Sequence, residues 1–298
     1  MSKTVLILGA NGRFGTNAAQ AYQAAGWTVR RFDRKTDTLE TAARGASVIV
    51  NAWNMAYSEW ATQVLAMQPD IHRVALANDA TVIIPGNVYV FGAQTPAPWS
   101  HESARDAGNP LGRIRIDLED SYRAAGVRTI VLRAGDFLDT TASGNWFDKI
   151  MAPGLSKGTF TYPGHPDIPH AFAYLPDVAR AAVLLSDKRD ALMRFEDVCF
   201  PGYTLTGAQM AVALERARGH SVTLKPLKWW TLRLIQPFWK EVRYLFEMRY
   251  LWDTPHSLSG QKFNALLPGF EHKPAEHALR QAAAHVAHPA SAPQPSMA

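Results

Sequence analysis

The chain has 298 residues, of which 47% are hydrophobic and 19% charged, with a formal net charge of +5 and one cysteine, Cys199. That is enough apolar material for a full core in one large domain or a domain with an appendage, and it excludes a mostly disordered chain. A single cysteine excludes an internal disulfide framework and a multi-cysteine zinc site, so a reduced, cytoplasmic setting is expected. No stretch approaches the ~20 apolar residues that span a bilayer, and the N-terminus enters a strand too early for a signal peptide.

Val5-Leu6-Ile7-Leu8 is an apolar run that passes into Gly9-Ala10-Asn11-Gly12-Arg13-Phe14-Gly15 and then into an Ala-rich stretch stopped by Gly26. Buried strand, glycine turn and helix in that order are the context a dinucleotide-binding motif requires. Gly9 allows the turn, Gly12 lets a pyrophosphate approach the backbone, and Gly15 lets helix and strand pack closely. The open helix N-terminus and its dipole then attract phosphate charge. Residues 9–15 are therefore the expected cofactor cradle, with Asn11, Arg13 and Phe14 inside it.

A second strand is expected over Thr28 to Phe32, with Asp33 and Arg34 at its end, where such a fold meets the adenosine ribose. An Asp there accepts bonds from the NAD hydroxyls, whereas an Arg pairs with the 2′-phosphate of NADP. With Arg30, Arg31 and Lys35 also close in sequence, NADP is favoured, Arg34 being its reader, and NAD is the alternative. Asp37 and Glu40 have capping-box spacing for a short helix that Gly45 stops. Strands over Ser47 to Ala52 and from Thr81, separated by helical spacing in 56–78, complete the reading of an α/β fold with a doubly wound parallel sheet.

Further on, residues 136–170 are rich in Gly, Pro and aromatics, and a helix resumes at Asp177. Thr206 and Gln209 form a capping box, with Gly219 as the stop. The stretch 225–252 holds Lys225, Lys228, Arg233, Lys240, Arg243 and Arg249 against Glu241 and Glu247, among many aromatics. Leu227, Trp230, Leu234 and Phe238 have helical spacing, and Pro237 is expected to divide the helix. An amphipathic pair packed on the lobe, a pocket for an anionic substrate and a surface for anionic lipid are all open readings of it. Nucleic-acid motifs and metal-ligand patterns are lacking. A last helix is expected over 275–286, and the Pro-, Ala- and Ser-rich remainder is expected to be disordered.

The order of motifs resembles the short-chain dehydrogenase/reductase superfamily, in its extended or atypical branch of epimerase/dehydratase-like proteins. The glycine turn matches, as do Asn51-Ala52 after the third strand, Val90-Phe91-Gly92, Asn109-Pro110-Leu111-Gly112-Arg113, Leu132-Arg133-Ala134-Gly135 and Asp177-Val178-Ala179. The resemblance implies a Rossmann-type nucleotide domain over 1–135 and 171–199, and a smaller, largely C-terminal substrate lobe over 136–170 and 200–286. It also implies Asn51 and Ala52 at the cofactor, and a homodimer through helices near 57–67 and 111–125. One edge of the sheet should be trimmed, because 33–48 is too short for the usual extra strand and helix.

The chemistry departs from that family. Its Ser or Thr holds the substrate oxygen, its Tyr transfers the proton, and a Lys four residues on makes a phenol of pKa about 10 usable near neutrality. Aligning the motifs places Asn87, Leu111 and Arg115 at those three positions. Arg115 could still bind ribose and Asn87 a carbonyl, but Leu111 cannot move a proton. Tyr89, two residues past Asn87, is the candidate substitute, with a packed core tyrosine as the alternative reading. His101, Glu102, Tyr162, His165 and His170 lie in loop-like stretches and are weaker candidates. Two functions follow: an atypical oxidoreductase or epimerase-like enzyme on a small carbonyl or sugar-type molecule, anionic in one of the open readings, or a non-catalytic NADP(H)-binding redox sensor.

Overall fold

The structure is a computed structural model that describes residues 3–287. The tail expected to be disordered lies, apart from Ala287, outside the described residues. In chain order the strands are β1 (Thr4–Leu8), β2 (Thr28–Arg31), β3 (Val48–Asn51), β4 (Thr81–Gly86), β5 (Thr129–Arg133), β6 (Asp136–Leu138), β7 (Thr159–Tyr162), β8 (His170–Tyr174), β9 (Phe195–Cys199), β10 (Tyr203–Leu205) and β11 (Thr223–Pro226). Six of them form one parallel sheet in the order β2-β1-β3-β4-β5-β9. The reversal of strand order beside β1 makes this a doubly wound sheet, with its switch point at the carboxyl ends of β1 and β3.

Alternation along the strands gives the sheet two apolar faces. Val5 and Ile7 pack with Val48, Val50, Ile83 and Ile130 on one side, under the helices Arg13–Ala24 and Leu175–Asp187. Leu6, Leu8, Ile49, Val82 and Val131 point the other way, under the helices Gln68–Ala77 and Pro110–Ala124. Strands buried on both faces read as continuous apolar runs, which is why β1, β3 and β4 stand out in the sequence. Within the described residues β2 pairs with β1 alone, so the sheet edge is trimmed as expected.

A third cluster, with Phe147, Phe160, Phe172, Leu214, Leu245 and Leu279, lies around the small sheets β10-β8-β6 and β11-β7. The Thr206 box forms in both directions, and Gly219 closes its helix at φ +70. Pro237 falls between the helices Trp229–Ile235 and Val242–Glu247. One local expectation fails. The short helix at Leu39–Ala43 is capped by Thr38, whose Oγ1 accepts from Thr41 N, while Asp37 instead accepts from Asp33 N. In the basic aromatic stretch Trp229, Leu245 and Trp252 pack into the third cluster, whereas Trp230, Leu234 and Phe238 are 61%, 66% and 91% exposed. Helical spacing marks a shared face and not the direction in which it points.

The most heavily used buried charge is Arg133 at the end of β5. Its side chain is 0% exposed and donates to Glu119 Oε1 and Oε2 (3.1 and 2.8 Å), to Asp197 Oδ2 (2.7 Å) and to the carbonyl of Asn87 (2.7 Å). Burial works against the guanidinium charge, but Asp197 and Glu119 outweigh it and hold the pKa well above its ordinary value. Removing one member of such a cluster strands the others. Arg133→Met should therefore lower unfolding stability by about 3–5 kcal/mol. Urea denaturation measures this, and a loss below about 1 kcal/mol would contradict the role given to the cluster.

Candidate functional site

The carboxyl ends of β1, β3 and β4 open into a cleft floored by the glycine turn. Gly9 sits at φ +75, and a Cβ there would stand 2.7 Å from the carbonyl oxygen of Ala52. A Cβ on Gly15 would stand 2.1 Å from the carbonyl oxygen of Gly9, so only glycine allows the helix to start this close to the strand. Gly12 caps the helix Arg13–Ala24 with extended backbone, no side-chain cap and no acidic residue in the first turn. The helix N-terminus is thus free of the protein's own anions, as a phosphate site requires.

Arg13, Phe14, Asn51, Ala52, Asn87, Tyr89 and Arg115 all line the inner cleft. All seven are among the residues singled out in the sequence, and their side chains are committed in different ways. Asn51 Nδ2 donates to Gln68 Oε1 (3.2 Å) and to the Tyr122 hydroxyl (3.0 Å), a buried triangle behind the cleft wall. Arg13 Nε reaches across to the carbonyl of Ser143 (2.9 Å), tying the glycine turn to the loop after β6. Asn87 Oδ1 accepts from Tyr89 N (3.1 Å), which shapes the turn that carries Tyr89. Arg115 donates to the carbonyl of Pro85 (3.1 Å), and its buried Nε has no partner in the protein. Burial, the largest influence, draws its pKa down.

Leu111 is buried, and its backbone N donates to Glu247 Oε1 (2.6 Å). Glu247 thereby caps the helix Pro110–Ala124 from the second lobe, and Glu241 caps Tyr57 in the same way (2.9 Å). Asp33 and Arg34 lie outside this cleft, on the exposed end of β2. Asp33 Oδ1 accepts from Lys35 N (2.9 Å), while the Arg34 guanidinium rests 5.8 Å from the Trp53 ring centre. Arg30 does not face the same place. It donates to the carbonyls of Ala42 and Arg44 and closes the C-terminus of the short helix.

Of the weaker candidates, His101, Glu102 and His165 are exposed, and Tyr162 is buried in the third cluster. His170 is different: buried, it hydrogen-bonds Asp136 at 2.7 Å, and Asp136 lines the cleft. Asp136, Tyr57 and Trp146 are cleft residues that the sequence alone does not single out. The Tyr57 hydroxyl lies 2.6 Å from that of Tyr89, so the substitute phenol is one of a pair. An outer pocket continues past Tyr57 and Trp146 to Lys149, Ile150, Trp239 and Leu245. Among the described residues no group of three or more His, Cys, Asp or Glu side chains is placed to hold a metal ion, and no helix is long and apolar enough to cross a membrane.

Neither a protein-family model nor a curated protein matches the chain. Solved structures do resemble it. A nucleoside-diphosphate-sugar epimerase from Pseudomonas aeruginosa aligns at 16% identity over 94% of this chain and 95% of that one, with a TM-score of 0.70. A UDP-glucose 4-epimerase from Brucella ovis in complex with NAD aligns at 16% identity over 95% and 98%, with a TM-score of 0.69. A GDP-mannoheptose C4 reductase from Campylobacter jejuni with NADP bound aligns at 14% over 95% and 98%, with a TM-score of 0.66. The likeness is one of fold: this chain carries the same Rossmann-type architecture as these structures over nearly its whole length.

Burial is the main cause that raises the pKa of both Tyr57 and Tyr89 above the ordinary phenol value. Unfolded phenols ionise near about pH 10, so above that pH the unfolded chain releases protons that the folded chain retains. The contribution of the pair to stability is complete below about pH 10 and falls as the pH rises beyond it. Tyr57→Phe/Tyr89→Phe should show a shallower loss of urea stability between about pH 9 and about pH 11 than the parent. Equal slopes would contradict this.

Proposed function

We propose that the chain is a nicotinamide-dinucleotide-dependent oxidoreductase or epimerase-like enzyme of the extended short-chain dehydrogenase/reductase type, acting on a carbonyl or sugar-type substrate. The observation that carries this reading is the position of the uncapped glycine turn, which opens directly into the cleft lined by Asn87, Tyr89 and Arg115. The cradle fits the dinucleotide: Gly12 leaves room for a phosphate beside the free N–H groups of residues 13–15, where the dipole favours negative charge. When bound, the dinucleotide supplies or accepts the hydride. Residues 1–135 and 171–199 hold it, and 136–170 with 200–286 hold the substrate.

Arg115 has donors to spare at the far end of the cleft, suited to ribose hydroxyls. The Asn87 amide lines the same cleft for a substrate oxygen, and the Tyr57–Tyr89 pair adds hydroxyl groups that can hydrogen-bond the substrate. At the adenosine end NADP is favoured over NAD. Arg34 is exposed and has no carboxylate partner among the described residues, whereas Asp33 is already bonded to its own loop. The substrate lies among aromatic and apolar walls with Arg13 and Lys149 near it, which suits an anionic group on a sugar or carbonyl compound.

Arg34→Ser should weaken NADPH binding by about tenfold or more and leave NADH binding nearly unchanged in fluorescence titrations. A parallel loss for both cofactors, or for neither, would overturn the preference. Catalysis is tested by incubating the protein with NADPH deuterated at the transferable position and a panel of nucleotide sugars and simple ketones. Mass spectrometry should find deuterium on carbon in a product; binding without label transfer to any member would contradict the enzymatic reading.

A further inference from the structure

The cleft lacks the family's proton-transferring tyrosine, yet it holds an acid–base pair on unrelated elements. Asp136 opens β6, directly after the turn that leaves β5. A Cβ on Gly135 would stand 2.1 Å from the carbonyl oxygen of Ala171, so this turn is pressed against β8, where His170 is the first residue. Parallel pairing of β6 with β8 sets Asp136 level with Phe172 and brings its carboxylate to the His170 ring. His170 Nε2–H donates to Asp136 Oδ2 at 2.7 Å, with the imidazole 1% and the carboxylate 22% exposed.

The ring's orientation is fixed by its walls. His170 stacks flat on Trp252 (4.0 Å between centres, 7° between planes) and meets His256 edge-on at 4.4 Å. His256 is itself stacked on Trp99 and donates from Nδ1 to the carbonyl of Thr254 at 2.8 Å. Chiefly because it is buried, its pKa is pushed down to about 3, so it stays a neutral imidazole at working pH. That leaves His170 as the imidazole in the stack whose proton has a carboxylate to go to. Its other nitrogen, Nδ1, is buried without a partner.

Asp136 is the one carboxylate among the residues lining the inner cleft, where it stands with Asn87, Tyr89 and Arg115. No other hydrogen bond reaches it among the described residues, so its second oxygen is open to a ligand. Resting on the hydride-transfer reading of the cleft, we infer that Asp136 is the group that takes and returns the substrate proton, with His170 as the positioning residue that aims it through the Nε2–H bond to Oδ2. In oxidation, the Asp136 carboxylate removes the proton of a substrate hydroxyl. The O–H electron pair forms the C=O bond while the hydride on that carbon leaves for the oxidised nicotinamide dinucleotide. The substrate is oxidised, the dinucleotide reduced, and the proton rests on the second oxygen of Asp136, the one that His170 does not hold. Reduction is the same exchange reversed.

A structural pair and a catalytic pair differ in what repairs them. The test is reduction of phenanthrenequinone by the full chain with NADPH, followed by loss of NADPH absorbance, for the parent, Asp136→Ala, Asp136→Asn and His170→Gln. NADPH affinity by fluorescence reports whether each variant keeps its fold. Both Asp136 variants should retain NADPH binding and lose about 100-fold or more in kcat. Added formate should restore turnover to Asp136→Ala, since a small carboxylate can enter the space left. His170→Gln should lose about tenfold in kcat with little change in KM. Parent-like turnover by Asp136→Asn, or an Asp136→Ala defect that formate does not lift, overturns the assignment. A parent chain that binds NADPH and reduces nothing removes the hydride-transfer reading, and the assignment with it.

Discussion

The cleft depends on one buried guanidinium. Arg133 joins β5 to β9 through Asp197, to the helix Pro110–Ala124 through Glu119, and to the loop after β4 through the Asn87 carbonyl. A charge fully removed from water is tolerated only when several partners surround it, and their geometry is then hard to change. The loop it grips carries Asn87 and Tyr89, and the helix it grips carries Arg115. The relative placement of three cleft residues is thus set by an ion cluster that only Asn87 touches directly, through its backbone carbonyl. The opposite wall is set in a similar way: Glu241 and Glu247, the two acids of the basic aromatic segment, both turn inward to cap helices that flank the main sheet. Its cations are left facing outward because its anions are used up in holding the lobe to the sheet.

These polar ties act beside an apolar seam, in which Met248, Leu251 and Leu258 share a core cluster with Val90, Phe91 and Leu111. Two carboxylates aimed at free backbone N–H groups fix the position of the second lobe, and Arg13 adds a third tie from the glycine turn to the loop after β6. The same ties define the width of the cleft at Tyr57 and Trp146.

What could be read from the sequence was what local chemistry dictates. The glycine turn is legible because Gly9 and Gly15 meet steric limits that no other residue satisfies, and the Thr206 cap because its partner is three residues away. The motif order set Leu111 at the position of the resembled family's tyrosine and singled out Asn87, Tyr89 and Arg115, which line the cleft. The partners of those residues were not legible. Tyr57 lies 32 residues before Tyr89, and Asp136 lies 34 before His170, with no spacing rule linking either pair. Strand register brings Asp136 to His170, and register is a property of the folded sheet. The outward turn of Trp230 and Leu234 was hidden for a related reason, since one periodicity serves a buried and an exposed helix face alike.

The central claim is that the glycine turn holds a nicotinamide dinucleotide at the mouth of this cleft. It is tested most directly by calorimetric titration of the purified protein and of Gly12→Asp with NADP⁺, after checking for co-purified nucleotide. An added Cβ at Gly12 would stand 3.2 Å from the Gly9 carbonyl oxygen, and the carboxylate beyond it would put a negative charge where the phosphate belongs. The account predicts one saturable site in the parent and none detectable in the variant, with both chains folded. No heat from the parent, or equal binding by the variant, would contradict it.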